Sequence, residues 1–261
     1  VNQLKEDVES KQEEKGVYGD LTRPGEPIEI GSRHPISIVK NQMIEIFSNI
    51  GFNVSEGPEI EDDWHNFTAL NLPEYHPARD MQDTFWFRRI PGKLPRTQTS
   101  AHQVPYMRKK VSQGHSSFRM VSFGRVFRNE ATDATHEASF MQMEGLAVAK
   151  RGEITLGHLK GTLETFLKGL FGNDVVMRFR PGYFPFVEPG VEVDMYFAGR
   201  WVEMLGAGMI HPVVLENAGL DPETHTGFAF GVGIDRLMLA KFDIPDIRLS
   251  YQGDLRFVNQ F

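Results

Sequence analysis

From His34 the chain sets apolar residues at steps of three and four. In HPISIVKNQMIEIFSNIG these are Ile36, Val39, Met43, Ile46 and Ile50, with Pro35 at the first turn and Gly51 behind the last. That period predicts an amphipathic helix, opened by a proline and closed by a glycine. EITLGHLKGTLETFLKGLFG (153–172) repeats the pattern through Leu156, Leu159, Leu163, Phe166 and Leu170, and Gly172 stops it. Elsewhere the period changes to two. FRMVSFGRVFR (118–128), SFMQMEGLAVA (139–149), DVVMRFR (174–180), VEVDMYF (191–197) and WVEMLGAG (201–208) alternate and read as antiparallel strands. The connection at 131–138 is too short for a helical crossover, so the first two strands are expected to pair directly. GFAFGVGIDRLMLAKF (227–242) then runs from a short strand through glycines into a helix, with Ile234, Leu237 and Met238 toward the core and Arg236 in its first turn.

Composition narrows the class. A chain of 261 residues, 40% hydrophobic and 24% charged, has the make-up of an ordinary globular protein of one large or two small domains. The opening VNQLKEDVESKQEEKG reads as the last turns of a polar helix, and Gly16, Gly19, Pro24, Gly25 and Pro27 mark a linker, which puts a boundary near residue 30. No apolar run is long enough to span a bilayer, and the first thirty residues are charged rather than signal-like, so the expectation is a cytoplasmic chain without membrane contact. The absence of cysteine excludes disulfides and thiolate metal sites. A formal charge of −7 argues against a surface coated for nucleic acid and leaves local contacts open.

Candidate chemistry gathers at three places. On the first hairpin Arg128 and Glu130 share a face, as do Phe140, Gln142 and Glu144 on the partner strand. An arginine, two carboxyls, an amide and a phenyl suit either a ligand or a wet outer face. In GVGIDR the glycines let a nucleotide approach the backbone, and Arg236 adds a full charge to the positive end of a helix, so a phosphate is the natural partner. The spacing is neither the dinucleotide fingerprint nor a P-loop. In GYFPFVEPG (182–190) an extended backbone would put Phe184 and Phe186 on one side with Pro185 opposite, as core or as the wall of a slot. There is no HExxH, no GxSxG and no cysteine nucleophile.

In this order, a helix leading into GFNVSEGPEIE, then FRNE with its loop and second strand, then GVGIDR, the chain resembles the class II aminoacyl-tRNA synthetases. RTQTSAHQV (96–104), NLPEYHPARDMQDTFW (71–86), the FPF segment and GAGMIHPVVL narrow the resemblance to the α subunit of bacterial phenylalanyl-tRNA synthetase, from about residue 17 to the end. The resemblance implies an α+β fold, an antiparallel β-sheet flanked by helices, with residues 1–30 as the remnant of an N-terminal helical arm plus linker and 31–261 as the catalytic aminoacylation domain. It implies that L-phenylalanine is activated with ATP to phenylalanyl-adenylate and passed to the 3′-terminal ribose of tRNA(Phe), in an α2β2 heterotetramer whose β subunit carries the editing that a pocket so tolerant of an added hydroxyl requires.

Roles follow by the same resemblance. Arg128 and Arg236 are the catalytic cations, on the α- and γ-phosphates. Phe140 stacks on adenine, Glu130 reads its amino group, His136 meets the outer phosphates, and Gly231 lies against the nucleotide. Ser100, Gln142 and Glu144 hold the α-ammonium, with Gln98, Thr99 and Gln103 beside them. Phe184 and Phe186 wall the phenyl group and Ala229 floors it. Mg2+ is expected on Glu203, with Glu192 and Asp194 as alternatives that also read as ordinary strand charges. The sequence departs from the family pattern at Gln98 and Met141, where the family often has His, and at Pro105, where it commonly has Arg. A non-catalytic synthetase-like subunit would be expected to have lost Arg128 and Arg236; a different ligase on the same fold would differ in its amino-acid pocket.

Overall fold

The computed structural model describes residues 24–25, 30–79, 84–197 and 199–261, and residues 33–261 form one compact unit. The arm remnant expected at 1–30 lies outside the described residues except for Pro24, Gly25 and Ile30. Helix α1 spans Pro35–Asn49. Its start is chemical: Pro35 lacks an amide that would have found no helical acceptor, and His34 Nδ1 accepts from the Ile36 amide at 3.2 Å. The buried stripe is Pro35, Val39, Met43 and Phe47, with the expected Ile36, Ile46 and Ile50 only at its margin. Phe47 belonged to no predicted face, yet its ring lies 5.0 Å from that of Phe166 and 5.4 Å from those of Phe52 and Phe230.

The chain then forms β1 (Asn53–Ser55), β2 (Ile60–Asp62), the short α2 (Asp63–Asn66), β3 (Lys93–Pro95) and α3 (Gln103–Ser112). The predicted hairpin follows as β4 (Phe118–Phe127) and β5 (Ser139–Lys150), paired antiparallel along the whole length of β4. After it come α4 (Leu156–Phe171), β6 (Met177–Phe184), β7 (Val187–Phe197), β8 (Arg200–Ile210), α5 (Pro212–Asn217), β9 (His225–Gly233), α6 (Ile234–Phe242) and α7 (Leu255–Val258). The strand read at 174–180 starts later, because Asp174 belongs to a turn, and runs further, to Phe184.

The seven-stranded order is β1-β4-β5-β9-β8-β7-β6, with β2 and β3 in a separate pair. Every described ladder of the large sheet is antiparallel except β1 with β4, which is parallel. Three residues are too few for an alternation to show, so this strand had no sequence signal. One face of the sheet, through Met143, Phe230, Val232 and Leu205, packs on α1, α4 and α6. The other face, through Met120, Leu146, Val148 and Ala229, meets Phe67, Leu70, Met107 and Leu215 from the connecting segments, α3 and α5.

One buried cation fastens the connecting segments to this sheet. Arg96 is 2% exposed. Its Nε donates to the Arg125 carbonyl at 2.8 Å, and its Nη1 to the carbonyls of Gly57 and Pro58, each at 3.1 Å. Its own main chain continues the link, its amide to Glu59 O and its carbonyl from the Phe127 amide. Gly124 makes room, since a Cβ there would lie 1.7 Å from the guanidinium.

Because Phe47 sits at the meeting point of α1, α4 and the sheet, Phe47→Ala should lose about 3–5 kcal/mol of unfolding free energy. Ile46→Ala, at the margin, should lose clearly less. Urea denaturation of both variants checks this, and a Phe47→Ala loss no larger than that of Ile46→Ala would contradict the packing.

Candidate active site

Strand register builds the site. Along β5 the residues Gln142, Glu144 and Leu146 point to one face, and β9 sets Gly233, Gly231 and Ala229 opposite them. On β8, Gly206 lies opposite Gly231 and Gly208 opposite Ala229. Two central strands therefore carry almost no side chain on this face, and a cleft of about 570 Å3 opens over them.

The middle of the cleft is a buried acid. Glu144 accepts from Ser100 Oγ at 2.8 Å and from Gln103 Nε2. Burial pushes its pKa up to about 8 despite those two donors, so the carboxyl of the protein alone is largely neutral at pH 7. Gln142 accepts from the Thr99 amide at 3.4 Å. A Cβ on Gly231 would lie 2.8 Å from Glu144 Oε2 and 3.2 Å from Gln142 Nε2.

At the polar end, the Arg128 guanidinium carbon lies 5.2 Å from the centre of the Phe140 ring, and its Nε donates to the Thr97 carbonyl at 3.1 Å. Arg128 Nη1 is 3.9 Å from Glu130 Oε1, a half-exposed pair of little energetic weight. Arg236 is the third residue of α6, and its Nη1 donates to the Glu203 carbonyl at 3.0 Å. His136 lies in the exposed 129–138 connection. There Asp133 Oδ1 accepts from the amides of Thr135 and His136 at 2.7 and 2.8 Å, and these bonds with the His136 ring hold Asp133 below the usual carboxylate range.

The apolar end corrects the extended reading of FPF. Phe184 is the last residue of β6 and pairs with Val187, so Pro185 and Phe186 form a two-residue hairpin turn. The rings share a side because the chain reverses, not because strand positions alternate, and Pro185 lines the cleft with them rather than facing away. Their centroids are 6.1 Å apart with planes at 26°. A Cβ on Gly206 would lie 2.6 Å from the Phe184 ring, so this glycine seats the wall.

Of the residues expected at the site, Gln98, Ser100, Arg128, Glu130, His136, Phe140, Gln142, Glu144, Phe184, Phe186, Glu203, Ala229, Gly231 and Arg236 all line this one cleft. Thr99 and Gln103 do not line it; both are buried and donate to Gln142 and Glu144. The alternatives to Glu203 are occupied. Asp194 accepts from Arg178 and Arg180 at 2.7 and 2.6 Å, and Glu192 pairs with Arg180 at 2.7 Å. Among the described residues no three His, Asp or Glu side chains gather as a metal cluster.

The departures have plain consequences. Gln98 faces the cleft and donates to the Asn66 carbonyl at 3.2 Å. Met141 packs on the helix-side core, away from Phe140. Pro105 is the third residue of α3, where its missing amide would have had no helical acceptor. Thr97, Gly206 and Asp235 also line the cleft and had been given no role. The glycine was visible in GAG, but nothing local marked what it would face.

The arrangement grades from cations and a phenyl plate, through a proton-labile carboxyl, to an aromatic slot. It fits a small amphoteric ligand with an apolar end, next to a polyanion. The chain matches the family model "tRNA synthetases class II core domain (F)" over residues 19–261. It is similar to proteins named phenylalanine--tRNA ligase alpha subunit: 55% identical to that of Christiangramia forsetii and 53% to that of Flavobacterium johnsoniae, each over 100% of this chain and 78% of the relative. It is 46% identical to that of Alkaliphilus oremlandii, over 100% of this chain and 79% of the relative.

A carboxyl raised from its ordinary 4.5 to about 8 gives stability at low pH that is lost as pH rises through that window, because only the unfolded chain ionises freely there. Glu144→Gln cannot ionise, so its stability relative to the parent should climb between those two pH values. Urea midpoints across the range test it; a flat difference would mean that Glu144 is charged in the folded protein.

Proposed function

Since this chain belongs to the class II tRNA synthetase core-domain family, we infer that it works as the alpha subunit of a phenylalanine–tRNA ligase, joining phenylalanine to AMP and then to the terminal ribose of tRNA(Phe). One observation carries the reading: the buried acid and the aromatic slot are successive same-face rows of a single sheet. Glu144 stands opposite Gly231, and the next row along β9 is Ala229. Two residues along a strand span about 7 Å. That is the scale of one phenylalanine from its ammonium to its ring.

The chemistry follows from the gradient along the cleft. The ammonium settles against Glu144, Gln142 and Ser100, and its positive charge lowers the pKa of Glu144 so that the carboxyl releases its proton to solvent; the charge pair forms only when both partners are present. The benzyl group enters between Phe184, Phe186 and Ala229, where the rings add offset or edge contacts worth about 0.5–1.5 kcal/mol each beyond burial. This leaves the substrate carboxylate toward Arg128. Its oxygen attacks the α-phosphorus of ATP in line, the bond to pyrophosphate breaks, and Arg128 meets the charge that grows on the phosphoryl oxygens. In the second step a ribose hydroxyl of the tRNA attacks the carbonyl carbon and AMP leaves.

At the far end Phe140 supplies the plate for adenine, from which the Arg128 side chain shifts toward phosphate as the nucleotide arrives. Glu130 reads the adenine amino group, Gly231 lies against the nucleotide, and Arg236 and His136 take the outer phosphates. Mg2+ fits as a companion of ATP rather than a resident ion: Glu203 offers one hard carboxylate in the cleft that would hold it together with phosphate oxygens and water. Bound there, the ion would neutralise phosphate charge. The partners are a beta subunit, in an α2β2 assembly, and tRNA(Phe), with residues 1–30 as the end of a tRNA-contacting arm and the cytoplasm as the place of work. No helix among the described residues is long and apolar enough to cross a membrane.

Two variants test the reading in ATP–pyrophosphate exchange. Arg128→Ala removes a preorganised donor worth about 2.7–4 kcal/mol in barrier, and should slow phenylalanine activation at least about a hundredfold. Near-parent exchange would refute the role. Ala229→Gly deepens the slot and should admit p-chlorophenylalanine; continued exclusion of that analogue would remove Ala229 from the floor.

A further inference from the structure

The segment after α6 ties together the connection that carries His136, the cap of α1 and the first turn of α6. Ile247–Ser250 form one 3-10 turn, capped by Asp246. The Ile247 amide donates to the Ala134 carbonyl at 2.9 Å, within the connection that carries His136. Ser250 O lies 2.9 Å from His34 Nε2 at the cap of α1. Since His34 Nδ1 accepts from the Ile36 amide, Nε2 is the nitrogen that carries the proton and donates. The next residue, Tyr251, donates its hydroxyl to Asp235 Oδ1 at 2.6 Å. Beyond it, Phe257 and Phe261 pack on each other and on His34 and Phe242, which fastens the segment down.

Asp235 is the pivot. It is 2% exposed, it is the second residue of α6, and Arg236 follows it. Strand β9 accompanies β5 only as far as the pair Gln142–Gly233, where the chain turns into α6. The next amide of β5 on that side, Met141 N–H, has no strand to receive it. Asp235 Oδ2 takes the place of the missing carbonyl, at 2.7 Å. One carboxylate thus completes the ladder between Phe140 and Gln142, and its other oxygen is held by Tyr251.

We propose that Asp235, clamped by Tyr251, is a positioning residue that sets the distance between the Phe140 plate and Arg236, and so shapes the nucleotide end of the cleft without touching the amino-acid end. The proposal rests on the assignment of ATP to the polar end. Asp235 lines the cleft, but both of its oxygens are engaged, one by the Met141 amide of β5 and one by Tyr251, so its effect on the ligand runs through the placement of Phe140 and of the first turn of α6. Gln142 is already held by its pairing with Gly233 of β9, and Glu144 and the slot lie further along the sheet where β9 itself pairs with β5, so the amino-acid end is positioned by the strand rather than by Asp235.

Tyr251→Phe removes one oxygen and keeps the ring. Asp235→Asn keeps the shape but leaves a single carbonyl oxygen for two donors. In ATP–pyrophosphate exchange with the alpha–beta complex, Tyr251→Phe should raise the KM for ATP about tenfold, Asp235→Asn more, with the KM for phenylalanine held within about twofold. Amide hydrogen exchange on the same complexes without substrate gives an independent reading: Met141 N–H should exchange about tenfold faster in both variants. Unchanged protection of Met141, or a parallel rise of both KM values, overturns the proposal. A parent complex that does not activate phenylalanine would instead remove the function assigned above, and the exchange of the Met141 amide would still decide whether the clamp exists.

Discussion

The site depends on two strands being bare. Where β8 and β9 face the cleft they carry Gly206, Gly231 and Ala229, and a Cβ at either glycine would stand inside the contact distance of the Phe184 ring or of the Glu144 carboxyl. Glycine is unfavourable in strand interiors, because it has no side chain to pack and loses more backbone freedom than other residues. A sheet accepts that penalty where something else must approach its backbone. Here a carboxyl, an amide and an aromatic ring converge from neighbouring elements onto a surface that would otherwise exclude them. The apolar floor, the acid and the nucleotide end are successive rows on that surface, so one register error would dislocate all of them.

Two equally buried acids show how the fold treats charge according to purpose. Asp194 and Glu144 are each 2% exposed. Hydrogen bonds from Arg180, then Arg178, hold Asp194 below the ordinary carboxylate range, and it stays ionised as a strut between β6 and β7. Glu144 has neutral donors only, and burial raises it. Had an arginine been placed beside Glu144, the site would already contain its cation and an incoming ammonium would have little to gain. Neutral neighbours leave the acid waiting, with desolvation deferred until a positive ligand shares it.

How much of this was legible in the sequence differs by element. Long alternations marked β4 and β5, and the rule that i and i+2 share a face correctly grouped Phe140, Gln142 and Glu144, because a regular antiparallel hairpin preserves that relation. The same rule misread FPF, where a two-residue turn ends the alternation although the residues look extended. Phe47 escaped because the helix stripe was drawn through Ile46, and only the rings stacked around Phe47 show where the axis of the stripe runs. Gln98 and Ser100 sit at or beside a 3-10 turn with no period to read; resemblance to a family brought them forward. Asp235 and Tyr251 were silent, since a hydrogen bond between the first turn of a helix and a segment 16 positions away leaves no pattern in either stretch.

The buried guanidinium of Arg96 carries a consequence for how such a chain can drift over generations. All its recorded acceptors are main-chain oxygens, at Gly57, Pro58 and Arg125. Carbonyls are inherited whatever the side chain, so positions 58 and 125 are free to exchange residues without weakening the staple. The burden falls on Gly124, which touches none of those oxygens but yields the space that the fork occupies. Mutational tolerance around this cation is therefore inverted: two of its bonded partners are replaceable, Gly57 is held to glycine only by the His102 ring beside it, and the silent neighbour Gly124 is fixed.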